Sequence, residues 1–337
     1  MSVNLEGIAK KAGVSAATVS LALNNRHGVS KKTREKILGI VRETGYKKRP
    51  SRGVTRGSVL FLKLIRHGHT LNDDHNVFIA DYIDGITHKA KEVQLRVEFS
   101  SMPASMTMND IIYSIEQQDV AGLIILGTEL SPDDVKSIAA VAKPVVFLDT
   151  YYDYLPCDFV DMNNLDSVSL VVSRFVETGH STIGMVTSPV NVRNFRLREE
   201  GFRACLAQRG LSQEYIYPVD STFLGAHADF SSLLASGVQL PQGLFCVNDI
   251  VCLGVARALK EAGRWVPDSV SLIGFDNLPT STHSDPPLTT IRVSKTEIGS
   301  KAILLLKERI ENPEKPCSKV LVGGDLIERQ SVRPRSS

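Results

Sequence analysis

A chain of 337 residues with 42% hydrophobic content is too long for one ordinary domain and supplies two or three cores. Its net charge of +2, from 39 lysines and arginines against 37 acids, is unevenly spread. No apolar run reaches membrane-spanning length, the first residues read as a polar capped helix rather than a signal peptide, and the five cysteines are scattered without a C-x-x-C, so the expectation is a reduced, cytoplasmic protein with no membrane partner.

The first predicted elements are two short helices joined by a tight turn. Asn4 is placed to cap a helix with Leu5, Ile8, Ala9 and Ala12 on one face. Gly13 supplies the residue that leaves a helix at positive φ. Ser15 then caps a second helix, opened by Ala16 and Ala17, whose apolar face is Val14, Val19 and Leu23. Ser30 caps a third, which opens with Thr33 and Arg34, buries Ile37, Leu38, Ile40 and Val41, and ends at Gly45. Two helices about a glycine turn are the helix-turn-helix pattern, whose second helix enters the major groove of DNA.

The charge agrees. Residues 1–58 hold thirteen lysines and arginines against three acids, +10, leaving 26 basic and 34 acidic residues, −8, for the remainder. A basic head on an acidic body suits a phosphate backbone, with affinity falling steeply as salt rises. The residues expected to face duplex DNA are Ser15, Ala16, Ala17, Thr18, Ser20 and Leu21, with Asn24, Arg34, Arg49, Arg52 and Arg56. Serine and threonine offer hydrogen bonds, while Leu21 and the alanines offer apolar contact such as with thymine methyls.

From Ser58 the pattern changes to short β-branched runs alternating with amphipathic helices. Strands are expected at 58–65, 95–99, 121–127 and 144–150, and in a second series at 182–186, 243–249 and 269–277. Such alternation implies parallel sheets covered by helices on both faces, and two series imply two lobes. Ligands of open α/β sheets bind beyond the carboxyl ends of the strands. Asp149, Asn248, Asp249, Asp276 and Asn277 stand at those ends, Arg198 stands on a helix start, and Phe78 follows the first strand. His67, His69 and His75 with Asp73 and Asp74 lack the spacing of a structural metal site and read as a polar loop over the cleft. No phosphate-binding glycine motif, nucleophile elbow or cysteine–histidine dyad is present, so neither a cofactor nor catalysis is expected.

The segment L-E-G-I-A-K-K-A-G-V-S-A-A-T-V-S-L-A-L-N, followed by V-S-K-K-T-R-E-K-I and G-Y, resembles the headpiece of the lactose-repressor/galactose-repressor family of bacterial transcription regulators. The resemblance runs to the C-terminus through R-E-E-G-F, C-V-N-D-I-V-C-L-G-V-A-R-A-L, V-S-L-I-G-F-D-N and P-P-L-T-T-I. It implies an all-α headpiece with a basic hinge over 1–57 and a two-lobed, periplasmic-binding-protein-like core over 58–337. Lobe 1 would take about 58–160 and 291–320, and lobe 2 about 161–290 and 321–337. It also implies a non-enzymatic repressor whose affinity for a pseudo-palindromic operator is controlled by a small effector, a sugar, bound between the lobes. The effector set is then Phe78, Asp149, Arg198, Asn248, Asp249 and Asp276. Carboxylate and guanidinium groups suit vicinal hydroxyls, and an aromatic suits a ring face. The C-terminal R-P-R-S-S carries no leucine heptad, so a homodimer is expected rather than a tetramer.

Two features depart from the family. Its hinge Y-x-P-N-x-x-A-R-x-L is Y-K-K-R-P-S-R-G-V-T-R-G-S here, with Pro50, Gly53 and Gly57 poor for a helix and no leucine to wedge into the minor groove. An extended basic linker is expected instead. The family's D-N-x-x-G-A is N-N-L-D-S-V from Asn163 to Val168, which leaves Asn163 without an expected ligand role. A solute receptor without a DNA role would explain the body but not the basic head, and an enzyme would need a catalytic constellation.

Overall fold

The computed structural model of the chain describes residues 5–23, 29–44, 57–211 and 215–335. The chain divides into two compact units, Met1–Val54 and Thr55–Ser337.

The first unit contains α1 (Leu5–Ala12), α2 (Ala16–Leu23) and α3 (Lys31–Thr44). Ile8, Ala9, Ala12, Val19, Ala22 and Ile37 interlock as its core, with Val14, Ala16, Val29, Ile40 and Val41 packed around them. Gly13 sits at φ +71°, and the Val14 N–H donates back to Ala9 O at 3.1 Å, which closes the last turn of α1. Ser15 Oγ accepts from Thr18 N at 3.1 Å and Ser30 Oγ from Thr33 N at 3.2 Å, so both serines cap their helices. Asn4 and Gly45, expected as cap and terminator, lie outside the described residues.

The second unit runs β1 (Ser58–Leu64), α4 (Asn76–Glu92, after a 3-10 turn at Asp73–His75), β2 (Arg96–Met102), α5 (Met108–Glu116), β3 (Gly122–Leu126), α6 (Pro132–Ala139), β4 (Val145–Leu148), β5 (Asp158–Met162), α7 (Asn164–Glu177), β6 (Ile183–Thr187), α8 (Arg193–Gln208), β7 (Ile216–Pro218), α9 (Phe223–Ala235), β8 (Gly243–Cys246), α10 (Asp249–Glu261), β9 (Ser271–Phe275), α11 (Pro279–His283), β10 (Thr289–Val293), α12 (Lys295–Glu311), β11 (Lys319–Val322) and β12 (Gly324–Ile327).

These strands form two six-stranded sheets, ordered β11-β5-β4-β3-β1-β2 and β12-β10-β9-β8-β6-β7. All described pairings are parallel except β10 with β12. The central strands β3, β6 and β9 are buried at every residue, as a parallel sheet sandwiched between helix layers requires. Capping boxes at Thr107/Asp110 and Ser131/Asp134 start α5 and α6. The α4–α12 crossing depends on two glycines. A Cβ on Gly85 would stand 2.0 Å from Thr296 O, and one on Gly299 would stand 2.4 Å from Tyr82 O.

The chain passes between the two sheets three times: after Met162, after Val293 and at Gly323. The second passage lies later than the 290/291 boundary read from the sequence, because β10 stays in the second sheet throughout its length. Among the described residues, no helix is long and apolar enough to cross a membrane.

Candidate effector cavity and DNA-reading helix

In the headpiece, Ser15 is exposed, while Thr18 and Leu21 are half-buried. Ala16 is half-buried against the headpiece core. Ala17 and Ser20 lie on the same helix, with side chains outside the description. The Arg34 guanidinium donates to Ala22 O at 3.4 Å, tying α3 to the end of α2. Asn24, Arg49, Arg52 and Arg56 lie outside the described residues, as does nearly all of the expected linker.

In the core, a cavity opens where the carboxyl ends of both sheets face each other. Five of the six effector residues read from the sequence line it: Phe78, Asp149, Arg198, Asn248 and Asp276. Asp149 and Asp276 sit just past the ends of β4 and β9 at φ +63° and +110°, a conformation that non-glycine residues hold only under constraint and that clusters at ligand sites.

Arg198 projects from α8 and is almost fully buried. Its Nε donates to Asn164 Oδ1 at 2.9 Å, its Nη1 to Val247 O at 2.6 Å, and its Nη2 approaches Met162 Sδ at 3.0 Å. The guanidinium stacks 3.7 Å above the Phe275 ring. Its Nη2 is 3.6 Å from Asp276 Oδ1, an ion pair too long for a hydrogen bond. That oxygen is buried and has no hydrogen-bond partner. Burial pushes the Asp276 carboxyl up to about 7, against the pull of Arg198.

Asp149 is held differently. Tyr82 OH donates to its Oδ1 at 2.8 Å and Thr128 Oγ1 donates to its Oδ2. Asn194 Nδ2 bridges Asp149 O at 3.1 Å and Asp161 Oδ1 at 3.3 Å. Burial raises Asp149, and burial with the Asp149 charge raises Asp161 well above the usual carboxylate range.

His75 sits between lobes. Burial lowers it to about 4, so the ring is neutral near pH 7. Its Nδ1 lies 2.9 Å from Asn72 Oδ1 and its Nε2 lies 3.2 Å from Asn248 Nδ2. Those partners assign the proton to Nδ1, leaving Nε2 to accept from Asn248. Asn248 Oδ1 meanwhile caps α10 through Val251 N. Among the described residues no group of histidines and carboxylates gathers to hold a metal.

Asp249 is the correction. It does not line the cavity. Its Oδ1 accepts from Thr290 Oγ1 at 2.6 Å and its Oδ2 from Leu278 N at 2.8 Å, and a Cβ on Gly274 would meet Oδ1 at 2.2 Å. Asn248, the extended N-cap of α10, faces the cleft, while Asp249, the first residue of the helix, turns under β9 and β10. Phe78 does line the cavity, with Lys295 Nζ 5.0 Å from its ring centre. Asn163 caps α7 by accepting from Asp166 N, and its neighbour Asn164 is the residue that holds Arg198.

Sequence reasoning missed the residue that shapes the roof of the cavity. Glu129, buried just after β3, accepts from the N–H groups of Arg66, His67, Gly68, Thr70 and Leu71 and from the Thr70 hydroxyl. It gathers the loop that carries Thr70, Leu71 and His75 into the cavity. The same loop reaches lobe 2, where Ser221 Oγ donates to His69 O at 2.8 Å and Phe223 N to Asp74 Oδ2 at 3.3 Å. Glu129 carries no motif, because its partners are backbone groups some sixty residues away in sequence.

A three-helix headpiece and a two-lobed sheet core with a polar cleft define a ligand-responsive DNA-binding regulator. Residues 4–49 match the model of bacterial regulatory proteins of the lacI family, and residues 172–332 match that of the periplasmic binding protein-like domain. The chain is 30% identical over 336 residues to the HTH-type transcriptional repressor CytR of Escherichia coli K12, covering 98% of this chain and 96% of that one. It is 29% identical over 340 residues to the repressor PurR of Haemophilus influenzae PittEE, covering 98% of each. The lac repressor dimer bound to operator and the anti-inducer ONPF superposes with a TM-score of 0.73 at 24% identity, covering 99% of this chain and 100% of that one. The CelR–cellobiose complex does so at 0.73 and 23%, covering 97% and 99%. The chain belongs to the lacI family of bacterial regulatory proteins. It is a DNA-binding transcriptional regulator and not an enzyme.

Proposed function

We propose that this protein is a cytoplasmic repressor that binds a pseudo-palindromic operator as a homodimer and is controlled by a sugar held between the lobes of its core. The α2 helix of each protomer reads one half-site, with Ser15 and Thr18 supplying hydrogen bonds and Leu21 and the alanines apolar contact.

The observation that carries the effector reading is the orphaned Asp276 Oδ1. A buried polar atom without a partner is rare and calls for one. Beside it stand Arg198, Asn194 and Asn248, which donate, and Asp149, which accepts. A neutral polyol both donates and accepts, so it satisfies this set. An anion adds charge to a cavity whose single guanidinium already faces a carboxylate. Phe78 and Phe195 give the ring an apolar wall.

The test is thermal unfolding against a panel of neutral sugars, sugar phosphates and nucleosides. A ligand at about 100 times its Kd adds roughly 2.7 kcal/mol to stability. A hit among the neutral sugars supports the reading, and stabilisation confined to phosphorylated compounds or nucleosides overturns it.

A further inference from the structure

We propose that Cys157 and Cys317 are a reversible redox pair, joined as a disulfide when the protein meets a peroxide, at a site outside the effector cavity. The two cysteines stand on segments that are distant in sequence and adjacent in space. β11 pairs in parallel with β5, with Lys319 opposite Phe159. Just upstream of β11 the backbone pairing ends: Phe159 N donates to Ser318 O at 2.9 Å, while Ser318 N turns to Asp158 Oδ1 at 2.8 Å and Cys157 N to Leu155 O at 2.9 Å. Cys157 directly precedes β5 and Cys317 lies two residues before β11, on the two segments that these bonds hold side by side.

A direct contact joins the two segments. The Cys317 thiol donates to Pro156 O at 3.0 Å, the carbonyl bonded to the nitrogen of Cys157. The segment leading to Cys317 is pinned: Arg309 holds Asp158 through Nε at 2.7 Å and donates from Nη1 to the carbonyls of Pro313 at 2.8 Å and Lys315 at 2.5 Å. All five cysteines are free thiols here, and Cys317 is the exposed one, while Cys205, Cys246 and Cys252 are buried.

The chemistry balances. The Cys317 thiol loses its proton to solvent, and the thiolate attacks a peroxide oxygen and expels hydroxide, which takes a proton back from solvent, giving a sulfenic acid and water. The Cys157 sulfur then attacks the sulfenic sulfur, which expels hydroxide, and the hydroxide takes the Cys157 proton to form a second water. Two thiols and one hydrogen peroxide thus give one disulfide and two waters. Burial, and then the neighbouring Cys317, pushes the Cys157 thiol up to about 11, so it stays protonated and leaves the first step to Cys317.

The test uses the full-length reduced protein treated with hydrogen peroxide at about one equivalent, then alkylated under denaturing conditions and mapped without reductant. The expected result is loss of two of the five thiols, a linked peptide pair containing residues 157 and 317, and full reversal by dithiothreitol. The oxidised protein also unfolds at a higher temperature than the reduced one. Cys317→Ser, a change at an exposed position, abolishes the linkage and the thermal shift and leaves Cys157 alkylatable. Oxidation of Cys317 to sulfinate, or to a disulfide between chains, with Cys157 still alkylatable in the wild type would overturn the proposal. So would an unchanged linked species in Cys317→Ser.

Discussion

Replacing Glu129 by glutamine tests whether one carboxylate organises the roof of the cavity. Its two oxygens accept six hydrogen bonds at 2.9–3.0 Å, five from backbone N–H groups and one from the Thr70 hydroxyl. Burial alone would raise the carboxyl, but the N–H groups of Gly68, His67, Thr70 and Arg66 outweigh it and bring it from the ordinary 4.5 down to about 2. That difference corresponds to about 3 kcal/mol in favour of the ionised, folded form. Glutamine keeps the shape but turns an NH₂ toward two or three donors, which leaves them buried and unpaired. We expect Glu129→Gln to lose about 3 kcal/mol in urea unfolding at pH 7. A folded-state value below the unfolded one stabilises above the unfolded value and is lost as pH falls, so the gap between the two proteins should narrow from pH 4.5 down to about 2. Because the loop also carries Thr70, Leu71 and His75, effector affinity should fall by roughly tenfold or more, while DNA affinity without effector stays near wild type. Equal urea midpoints at pH 7 together with wild-type effector affinity would refute the reasoning.

Other expectations follow from the same contacts. Asp249→Ala should cost about 2–4 kcal/mol of stability, by stranding the Leu278 N–H and the Thr290 hydroxyl, yet leave no direct effector contact missing; calorimetry on the folded fraction checks this. Asp276 holds its proton more tightly folded than unfolded, so its ionisation costs stability as pH rises from 3.8 through about 7. A ligand hydroxyl donating to the ionised oxygen offsets that cost, so effector affinity should rise between pH 6 and pH 8 and lose this dependence in Asp276→Asn, as titration calorimetry would report. Gly85→Ala should destabilise the core strongly, since its methyl meets the Thr296 carbonyl at 2.0 Å; the unfolding midpoint is the readout. If residues 47–57 act as an extended linker, the operator should be bent little and its centre should tolerate substitution. A sharp central kink in a bending assay would show that a hinge helix forms there.

Much of the fold is legible in the sequence because its signals are local. Ser15, Gly13 and Ser30 punctuate the headpiece by caps and a positive φ that need no tertiary context. The buried runs of β1, β3, β4, β6, β8 and β9 are apolar because helices cover both faces. β5 escapes notice because Asp158 and Asp161 interrupt its pattern. Asp158 is paired with Arg309 and Asp161 is tied to Asn194, partners that no local window contains. β7, β11 and β12 are three or four residues long at sheet edges, too short to show a period, and β10 is legible only as a motif. The cavity follows the same rule. Strand-end position finds Asp149, Asn248 and Asp276, but the direction of Asp249 depends on the rotation of α10. The roles of Glu129, Asn164 and Asn194 depend on partners from other elements.

If a ligand held beside Arg198 in the cleft governs DNA affinity, removing that side chain uncouples the two. The most direct measurement is operator binding by fluorescence anisotropy for the wild type, Arg198→Ala and the chain lacking residues 1–57, each with and without a ligand that stabilises the wild type. The account predicts that ligand shifts wild-type affinity by roughly tenfold or more, a coupling of about 1.4 kcal/mol. Arg198→Ala should bind operator as the unliganded wild type does and show no shift, and the truncated chain should not bind operator. An undiminished ligand-dependent shift in Arg198→Ala, or operator binding by the truncated chain, would contradict it.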